Sequence, residues 1–589
     1  KIDAPHFSLY VSNVLAQRYG KKALYGGGLH VITSLDYDLQ KEAEAIVRKH
    51  VSGWDPSFKA RNAAAVVIRP STGEILAMVG SADFDDKTID GQVNMATSPR
   101  QPGSSFKPFT YAAAFEQGYG PATLMYDVRT GFPRPGALPF VPENFDMVFH
   151  GPMSLRTALA CSYNIPAVWM LDRIGLDAAL EMAHRLGITD LRDRSSYGLS
   201  LTLGGGAVTL LDNTYAYSVF ANAGVMAGTP VPPERREPGF RELDPVCILK
   251  VTDGRGRVLD EFHGPTVKEV LSPQVAYLMT NILSDDVARQ PSYGPNSPLK
   301  LSRPAAAKTG TTNNYTDAWT VGYTPQIATG VWMGNSDYTQ MNAMWGGRGA
   351  APIWHDIMEY AHKDLPKVDF VEPPGMRWIT VDALSGLLPG PYTQRTTKEL
   401  FIEGRTPTAK DTLHQPFAIC KASGKLATSY CPSDQIEQKV FAVFPPEVND
   451  WVRNTKYPQP PDTYCDQHGP NLRSSDASIT SPRIYQSVKG VVQITGNARS
   501  PGFHEYLVEY GQGLQPTEWI PIGGTHHNSV DNQVLENWDA SQLSGLYTLR
   551  LTVRGSEDRQ VTIPVTVDNT KPKAAIIHPS DKALYIKET

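Results

Sequence analysis

The sequence predicts an α+β domain followed by an all-β sandwich. Two apolar runs, residues 63–69 and 74–79, are joined by the turn Pro70-Ser-Thr-Gly73 and predict a pair of central strands. Helical patterns follow, and three more strand candidates lie within residues 303–334. A sheet that draws strands from both ends of a domain, with helices between them, is typical of the α+β class. From about residue 477 the chain is a series of short alternating strands, which predicts a β-sandwich of immunoglobulin or fibronectin type.

The composition excludes several classes of protein. The chain has 55 Lys and Arg against 60 Asp and Glu, a net charge of −5 and no basic patch, so no nucleic-acid partner is expected. No run approaches the roughly 20 apolar residues of a membrane helix. The first residues do not resemble a signal peptide, and we expect that a preceding segment, with any membrane anchor, is missing.

The patterns divide the chain into five predicted segments. Residues 1–60 are expected to be a connector, residues 61–365 the α+β domain, residues 366–470 an appended proline-rich β subdomain, residues 477–570 the sandwich, and residues 571–589 a tail or the start of a further module. Within the appended subdomain a Ser-Gly turn followed by an aromatic strand occurs twice, which predicts two similar β units.

Local signals predict the helices in order. Asp36 or Asp38 caps a helix inside the connector. Residues 120–150 are rich in proline and glycine, have no clear period and predict a long loop. Ser154 caps a helix that breaks at Cys161-Ser-Tyr-Asn164, where Pro166 opens the next one. Further helices are predicted over residues 177–186, 210–223 and 273–283.

Ser104 and Lys107 are the candidate nucleophile and base. They stand three residues apart at a predicted helix start, where positions i and i+3 share a face. A serine hydroxyl is a poor nucleophile until a neighbouring group takes its proton. A lysine can do so only if burial or a second cation destabilises its ammonium form. A second Ser-x-x-Lys, Ser297-Pro-Leu-Lys300, lies in a segment with no helical pattern, and a helix cap with a solvated lysine is the alternative for the first.

Two more short motifs follow. Ser162-Tyr-Asn164 falls on the predicted break between helices, and Lys308-Thr-Gly310 falls on a predicted strand. Any one such tripeptide arises by chance, as Arg129-Thr-Gly131 illustrates. Three motifs in this order, on these elements, indicate a single catalytic site.

These motifs resemble the three-motif signature of the penicillin-binding proteins. The sequences Arg100-Gln-Pro-Gly-Ser-Ser-Phe-Lys-Pro, Asn144-Phe-Asp and Lys308-Thr-Gly-Thr-Thr are similar to the transpeptidase half of class A, bifunctional members, over about residues 25–365. The resemblance implies an extracytoplasmic site, in the periplasm or at the cell surface, in a longer membrane-anchored protein whose glycosyltransferase domain is not in this chain. The C-terminal sandwich favours a subgroup similar to penicillin-binding protein 1C.

The resemblance implies a role for each catalytic residue. Ser104 attacks the carbonyl between the last two D-alanines of a peptidoglycan stem peptide, and Lys107 accepts its proton. Ser162 relays a proton to the leaving nitrogen, and Asn164 orients Lys107 and the substrate amide. Lys308 supplies positive charge and helps to keep Lys107 neutral through like-charge repulsion.

The resemblance also implies how substrates bind. The backbone N–H groups of Ser104 and Thr311 form an oxyanion hole, and the strand Thr309-Gly310-Thr311 binds the substrate carboxylate through its two hydroxyls. An amine from a second stem peptide resolves the acyl-enzyme in a transpeptidase. β-Lactams are expected to acylate Ser104 as well. No cofactor or metal ion is expected at this site.

Three other functions stay open. A DD-carboxypeptidase differs only in using water as the acceptor. A class A β-lactamase shares the three motifs but also carries a Glu-x-x-Leu-Asn loop, and no such pentad lies between Asn164 and Lys308. A non-catalytic wall-binding or sensor protein would keep the fold without turnover, although the complete set of motif residues argues against it.

The C-terminal half carries two further signals. Cys420, Cys431 and Cys465 cluster late, with His468 close behind the last of them. A disulfide between Cys431 and Cys465 is favoured, with zinc as the alternative, because the spacing fits no paired-ligand pattern well. The sandwich is predicted to be a spacer, with contact to wall polymer or a partner protein as the alternative.

Overall fold

The computed structural model describes residues 2–26, 28–134, 136–468, 476–514 and 516–569, so the predicted tail at residues 571–589 lies outside the described residues. The chain divides into two compact units. The first comprises residues 1–132, 139–411 and 446–451, and the second comprises residues 133–138, 412–445 and 452–589. Among the described helices, none combines the length and apolar character needed to cross a membrane.

The helices begin at the capping residues that the sequence offers. The Leu39 amide donates to Asp36 at 3.0 Å and the Thr157 amide to Ser154 at 3.2 Å, which confirms both predicted caps. The helices are α1 (Pro5–Gly26), α2 (Tyr37–Gly53), α3 (Lys107–Glu116), α4 (Leu155–Ala160), α5 (Asn164–Ile174), α6 (Leu176–Leu186), α7 (Leu210–Ala221), α8 (Pro273–Leu283), α9 (Gln290–Tyr293), α10 (Ala350–Ala361) and α11 (Asn449–Thr455).

The strands before the sandwich are β1 (His30–Thr33), β2 (Asn62–Arg69), β3 (Glu74–Val79), β4 (Leu124–Asp127), β5 (Phe132–Arg134), β6 (Ala137–Phe140), β7 (Gly151–Ser154), β8 (Val225–Pro230), β9 (Leu243–Asp244), β10 (Ile248–Thr252), β11 (Val258–Glu261), β12 (Thr266–Glu269), β13 (Ala306–Thr311), β14 (Asp317–Tyr323), β15 (Ala328–Gly334), β16 (Met376–Asp382), β17 (Thr396–Ile402), β18 (His414–Cys420) and β19 (Ile436–Ala442). Those of the sandwich are β20 (Ala477–Ser481), β21 (Ser487–Val488), β22 (Val491–Ala498), β23 (Glu505–Gln512), β24 (Ile520–His526), β25 (Val530–Asp539), β26 (Gly545–Arg554) and β27 (Arg559–Val567).

A five-stranded antiparallel sheet organises the first unit. Its order is β13-β14-β15-β2-β3, so the two early strands pair with the three late ones through β15 and β2. Val331 of β15 lies opposite Ala65 of β2, and Lys308 of β13 lies opposite Val321 of β14. The α+β prediction is therefore confirmed, with the Lys308 motif on an edge strand.

Strand β2 is apolar on both faces because each face packs against helices. Ala64, Val66 and Ile68 belong to one core with residues of α3, α7 and α8. Their neighbours along the strand, such as Ala65 and Val67, belong to a second core with residues of α2 and α10. Alternation along the strand thus assigns successive side chains to opposite cores.

Residues 1–60, predicted as a connector, pack into the first unit. Phe7 and Val11 of α1 lie in the first core, and Leu39, Ala43 and Val47 of α2 lie in the second. Strand β1 pairs with β10. The helical spacing of the α2 residues forms a stripe that buries against the sheet, so this segment contributes to the same hydrophobic core as the sheet.

The stretch predicted as a long loop, residues 120–150, contains short strands. β4 pairs with β7 in antiparallel register, from Leu124 opposite Ser154 to Asp127 opposite Gly151. Because the strands are only a few residues long and rich in proline, no period marked them in the sequence.

The appended segment contains two similar strand pairs, as the repeated Ser-Gly turn predicted. The first pair lies in the first compact unit, where β16 pairs with β17 and Asp382 lies opposite Thr396. In the second unit, β18 pairs with β19, with Cys420 opposite Ile436. The disulfide favoured between Cys431 and Cys465 is not present, because all five cysteines of the chain are free thiols.

The C-terminal sandwich consists of two sheets around one core. One has the order β20-β22-β25 and the other β21-β27-β26-β23-β24. Ile494 and Trp538 from the first sheet and Val508, Leu549 and Ile563 from the second share a single hydrophobic cluster. The prediction of an all-β sandwich is confirmed in its strand content and its shared core.

Candidate active site

The first motif lies on a tight turn that leads into α3. Residues Gly103–Phe106 form a 3-10 helix that carries Ser104, and α3 begins at Lys107. In a 3-10 helix residues three apart eclipse each other, so Ser104 and Lys107 share a face, as the sequence predicted. The turn is held from behind, because Ser105 Oγ donates to Pro102 O at 2.8 Å and Tyr217 donates to Ser105 O at 2.6 Å.

Glycine allows this turn to touch the strand of the third motif. A Cβ at Gly310 of β13 would lie 2.0 Å from Pro102 O, and one at Gly103 would lie 2.4 Å from the Thr311 amide nitrogen. Gly103 also has φ +55°, a conformation that L side chains rarely adopt. The close approach sets Ser104 beside β13. Gly204 closes the same contact, since its Cβ would lie 2.2 Å from Gly103 N.

Lys107 is completely buried, and its amine is ringed by oxygen atoms. Nζ lies 2.5 Å from Ser162 O, 3.0 Å from Tyr163 O, 2.7 Å from Asn164 Oδ1 and 3.4 Å from Ser162 Oγ. Burial lowers the pKa of Lys107 well below its ordinary value, and the nearby Lys308 lowers it further. These are the two causes that the sequence argument required for a lysine base.

Ser162 places its hydroxyl between two lysines. It occupies the short link between α4 and α5 with φ +65°, a left-handed conformation that is unusual for a serine. Lys308 Nζ donates to Ser162 Oγ at 2.7 Å, and Lys107 Nζ approaches the same oxygen from the other motif. A strained residue held in this way at the meeting point of three motifs marks a site of function.

Lys308 is buried as well, and its pKa is lowered to about 7 by burial first and by the charge of Arg289 second. Arg289 is itself buried, and its pKa is lowered by the same loss of solvent. No sequence signal marks Arg289, because a single arginine in a loop after α8 belongs to no motif. Two lysines and one arginine therefore crowd one buried region, which disfavours the charged form of each lysine.

Asn164 is fixed by residues of the 120–150 segment. Its backbone N–H donates to Asn144 Oδ1 at 2.8 Å, and its side-chain amide donates to Glu143 O at 2.7 Å. Asn144 in turn donates to both oxygens of the fully buried Asp127, at 2.9 and 2.7 Å. The Asn144-Phe-Asp sequence thus acts through its first residue, which supports the second motif.

The three motifs open onto a cleft of about 640 Å³. Ser104, Ser162 and Asn164 line it, and so do Thr309 and Thr311, which lie two residues apart on one face of β13. Two neighbours hold the threonines: Tyr293, which also lines the cleft, shares a 2.6 Å hydrogen bond with Thr309 Oγ1, and the Gly346 amide donates to Thr311 Oγ1 at 3.1 Å. All the residues predicted for the site are brought together, and Tyr293 and Gly346 are additions that only the fold reveals.

Cys161 borders the same cleft without the features of a reactive thiol. Its Sγ contacts Ala288 O at 3.2 Å, and burial raises the pKa of the thiol. The decoy sequence Ser297-Pro-Leu-Lys300 lies outside helices and strands, with Lys300 exposed.

Comparison with known proteins agrees with this geometry. Residues 63–359, just over half of the chain, match the family described as Penicillin binding protein transpeptidase domain, and residues 372–416 match Penicillin-binding protein 1A, C-terminal domain. Among similar proteins, penicillin-binding protein 1A of Clostridium botulinum strain Hall is 29% identical over 438 residues, which are 71% of this chain and 50% of that protein. Penicillin-binding protein 1A of Neisseria lactamica is 34% identical over 322 residues, 53% of this chain and 37% of that protein. The chain spans about half the length of the curated relatives it matches.

Solved structures share the fold. The crystal structure of penicillin-binding protein 1A from Haemophilus influenzae superposes with a TM-score of 0.58 at 23% identity, covering 70% of this chain and 77% of that one. The PonA1 protein from Mycobacterium tuberculosis, in complex with penicillin V, gives a TM-score of 0.53 at 25% identity, covering 63% and 96%. The subgroup similar to penicillin-binding protein 1C stays a prediction. On the family match and the convergence of its motifs, the chain belongs to the penicillin-binding protein transpeptidase family.

Proposed function

We propose that this chain catalyses DD-transpeptidation of peptidoglycan stem peptides through an acyl-enzyme on Ser104. The observation that carries the proposal is the pair of buried lysine amines that converge on Ser162 Oγ, one from the nucleophile turn and one from the edge strand. Lys107 is thereby a neutral base beside Ser162 Oγ, on the helix face that it shares with Ser104. Lys308 is a proton donor on the other side of Ser162 Oγ.

The first half-reaction follows from these positions. Ser104 Oγ attacks the carbonyl carbon of the penultimate D-alanine while the neutral amine of Lys107 takes the hydroxyl proton. The carbonyl oxygen becomes an oxyanion, for which we assign the backbone N–H groups of Ser104 and Thr311, each worth about 3 kcal/mol in sites of this kind. The C–N bond then breaks, and the leaving nitrogen receives a proton through Ser162, which Lys308 reprotonates.

Substrate positioning falls to the residues on the cleft walls. The hydroxyls of Thr309 and Thr311 face the cleft from one side of β13, where a terminal carboxylate would lie alongside the strand, and Gly310 between them allows the strand to approach the turn of Ser104. Asn164 holds the Lys107 amine through Oδ1, which supports a role in orienting the base.

The acceptor in the second half-reaction distinguishes a transpeptidase from a carboxypeptidase. An amine from a second stem peptide attacks the ester carbonyl and releases Ser104, which gives a cross-link. Water in the same place gives a carboxypeptidase. The match of residues 63–359 to the penicillin-binding protein transpeptidase domain supports transpeptidation as the first choice.

The proposal includes the partners and the compartment that the family implies. β-Lactams, which resemble D-Ala-D-Ala, acylate Ser104 as substrates do. The PonA1 structure holds penicillin V, which supports the same ligand class for this chain. Because peptidoglycan is assembled outside the cytoplasm, we place the site in the periplasm or at the cell surface, in a longer protein with a membrane anchor. The sandwich then acts as a spacer or contacts wall polymer.

The test begins with a fluorescent penicillin. The purified chain is incubated with it, separated on a denaturing gel and mapped by peptide mass spectrometry. We expect one covalent adduct, on Ser104, which is lost in Ser104→Ala. Ser297→Ala, in the second Ser-x-x-Lys sequence and outside the residues that line the cleft, is the matched control and should still label. An adduct on another residue, or rapid turnover of the drug without an adduct, would contradict the proposal.

A second assay separates transpeptidase from carboxypeptidase. The chain is given a stem pentapeptide ending in D-Ala-D-Ala together with an amine acceptor, and the products are separated by chromatography. Accumulation of the cross-linked product over the shortened donor supports the proposal. Release of D-alanine without cross-linked product at high acceptor concentration would assign a carboxypeptidase, and acylation without either product a penicillin-binding sensor.

A further inference from the structure

Three cysteines and one histidine with no part in the proposed reaction meet in the second unit. A ligand atom from each of Cys420, Cys431, Cys465 and His468 lies within 4.8 Å of the others. His468 Nδ1 is 3.3 Å from Cys420 Sγ and 3.5 Å from Cys465 Sγ, and these two sulfurs are 3.4 Å apart. The three cysteines are buried, with 0%, 7% and 5% exposure. Four soft or borderline donors therefore point at one small volume.

The distances fit a metal ion better than a disulfide. A disulfide needs an S–S distance of about 2.05 Å. A tetrahedral zinc ion, with Zn–S bonds of about 2.3 Å and a Zn–N bond of about 2.05 Å, holds neighbouring sulfurs about 3.8 Å apart and a sulfur and a nitrogen about 3.5 Å apart. The two sulfur–nitrogen distances match that tetrahedron, and the sulfur–sulfur distance needs a change of a few tenths of an ångström.

Backbone hydrogen bonds bring the ligands together from three parts of the sequence. Cys420 ends β18, and its amide donates to Lys425 O at 2.9 Å, which folds the following turn back toward the strand. The Leu426 amide then donates to Thr463 O at 3.0 Å, and the Cys465 amide donates to Leu426 O at 2.7 Å. The apolar side chains packed on the three thiols are only Ala427 and Ile436 among the described residues. A site so poor in apolar packing gains stability from a cross-link.

The atoms around the ligands also suit a thiolate. The Thr428 amide donates to Cys431 Sγ at 3.3 Å, and the Thr428 hydroxyl lies 3.6 Å from the same sulfur and donates to His468 O at 3.4 Å. Donors aimed at a ligand atom and at the backbone of a second ligand are the outer contacts that orient metal ligands.

We propose that Cys420, Cys431, Cys465 and His468 bind one Zn²⁺ ion as a structural site. Thiolates and an imidazole select zinc over calcium, magnesium and manganese. Binding releases the three thiol protons and uses the lone pair on Nδ1 of a neutral His468, so the site carries a net charge of −1. All four positions are filled by protein atoms, and the ion has no open position for a substrate. It stabilises the β18–β19 hairpin and the segment that carries Cys465 and His468, and its role does not depend on the transpeptidase reaction.

The sequence supported zinc only as the alternative to a disulfide, because the ligands are unevenly spaced. A zinc site is usually recognised in a sequence by two closely spaced pairs of ligands. In this chain only Cys465-Asp-Gln-His468 is such a pair. Cys420 and Cys431 lie on either side of a turn and reach the ion because that turn folds back on β18.

The first experiment measures bound metal on the full chain. The protein is purified after growth with zinc, passed through a desalting column with a mild chelator and analysed for metal content. We expect close to one zinc per chain, a loss of that zinc in Cys431→Ser and in His468→Ala, and its retention in Cys247→Ser, a buried cysteine of the first unit. Thiol titration after unfolding should find five free thiols. Zinc that survives both ligand variants, or a disulfide between any two of the three late cysteines, would overturn the proposal.

A second measurement needs no variant and so does not depend on a variant's folding. The reduced, metal-free chain is titrated with Co²⁺ alone under anaerobic conditions. Tetrahedral cobalt with thiolate ligands gives strong visible bands and a sulfur-to-cobalt charge-transfer band, which should saturate at one equivalent and disappear when one equivalent of Zn²⁺ is added. Weak octahedral bands, or no saturation at one equivalent, would refute a closed site of three sulfurs and one nitrogen.

Discussion

The sandwich and the active-site cleft bury their side chains to opposite effect. In the sandwich, Val508, Leu549 and Ile563 are almost fully buried and apolar, and each such side chain contributes about 1.5 to 3 kcal/mol to stability. In the cleft, Lys107 and Lys308 are just as deeply buried, yet burial of an amine lowers the stability of its charged form. Side chains in the first region are those a core needs. Those in the second are retained at a cost in stability, which is a signature of function.

The substitution Lys107→Met tests this difference with the largest expected effect. The substitution removes the base and should reduce acylation by fluorescent penicillin by about 10³-fold or more, in the range that a general base contributes. It also fills the same space with an apolar chain, so we expect the unfolding free energy of the transpeptidase unit to rise by about 1 to 2 kcal/mol. Both effects are measured on one sample, by labelling kinetics and by thermal unfolding.

The control for that experiment is Lys300→Met in the decoy motif. Lys300 is exposed, so its replacement should change neither labelling nor unfolding. A Lys107→Met protein that labels at the normal rate would exclude Lys107 as the base, and one that is less stable than the parent would show that the buried amine is a structural asset.

The sandwich should respond in the opposite way. Leu549→Ala leaves a cavity among completely buried residues and should lower the unfolding free energy of the sandwich by about 3 kcal/mol, within the usual range of 2 to 5. The rate of penicillin labelling should not change. Hydrogen–deuterium exchange in β26 reports the sandwich, while exchange in β13 reports the transpeptidase sheet.

Ile520→Ala is the matched control for this prediction, because Ile520 is an apolar strand residue of the same sandwich that is 51% exposed. Its replacement should cost less than about 1 kcal/mol. If both substitutions accelerate exchange in β26 equally, the packing described for Leu549 is not what stabilises the sandwich.

The same contrast explains what the sequence could predict. Strands β22, β23, β26 and β27 largely alternate between buried and more exposed residues, and this alternation predicts them from the sequence. Strand β25 reads Val530-Asp-Asn-Gln-Val-Leu-Glu-Asn-Trp-Asp and exposes most of its side chains, so no alternation marked it. It is a strand because it pairs with β22, a contact that local propensity does not encode.

In the cleft, the motif residues were predictable and their supports were not. Ser104, Lys107 and the two other motifs stand in short recognisable strings, since the chemistry requires those residue types close together. Arg289, Tyr293 and Asp127 act on the motif residues from distant segments, and each is a common residue in an ordinary context. Their positions follow from the fold, so the sequence alone could not show that they lie beside the motif residues.

The glycine contact between the first and third motifs gives a smaller, purely steric effect. In Gly310→Ala the new Cβ would lie 2.0 Å from Pro102 O, so the nucleophile turn must move away from β13. We expect penicillin labelling to slow by about 10- to 100-fold, as displacements near 1 Å do in enzymes. Gly53→Ala is the control, since no atom lies within 4 Å of its Cβ. Normal labelling of Gly310→Ala would show that Ser104 does not depend on this contact.

The smallest predicted effect is a dependence on pH, and it separates the two lysines of the cleft. Lys107 must be neutral to accept a proton, and its pKa lies well below the ordinary value, so labelling should rise with pH at the acid end. Lys308 donates to Ser162 as a cation and has a pKa of about 7, so labelling should fall as the pH rises through 7 and reach about half its plateau there. Because the two amines interact, the limbs of the profile belong to the pair. Replacing Lys308 by Arg keeps the positive charge above neutral pH but supplies no proton to Ser162, so it should remove the alkaline limb near 7, leave the acid limb in place and lower the plateau. Labelling that continues to rise above pH 7 in the parent chain would mean that the proton of Lys308 is not required in the step that forms the acyl-enzyme.

The pH dependence of stability has the opposite sign. Each lysine has a lower pKa in the folded chain than in the unfolded chain, so the unfolded chain binds more protons. The unfolding free energy should therefore rise with pH from about 7 toward the ordinary lysine value of 10.5.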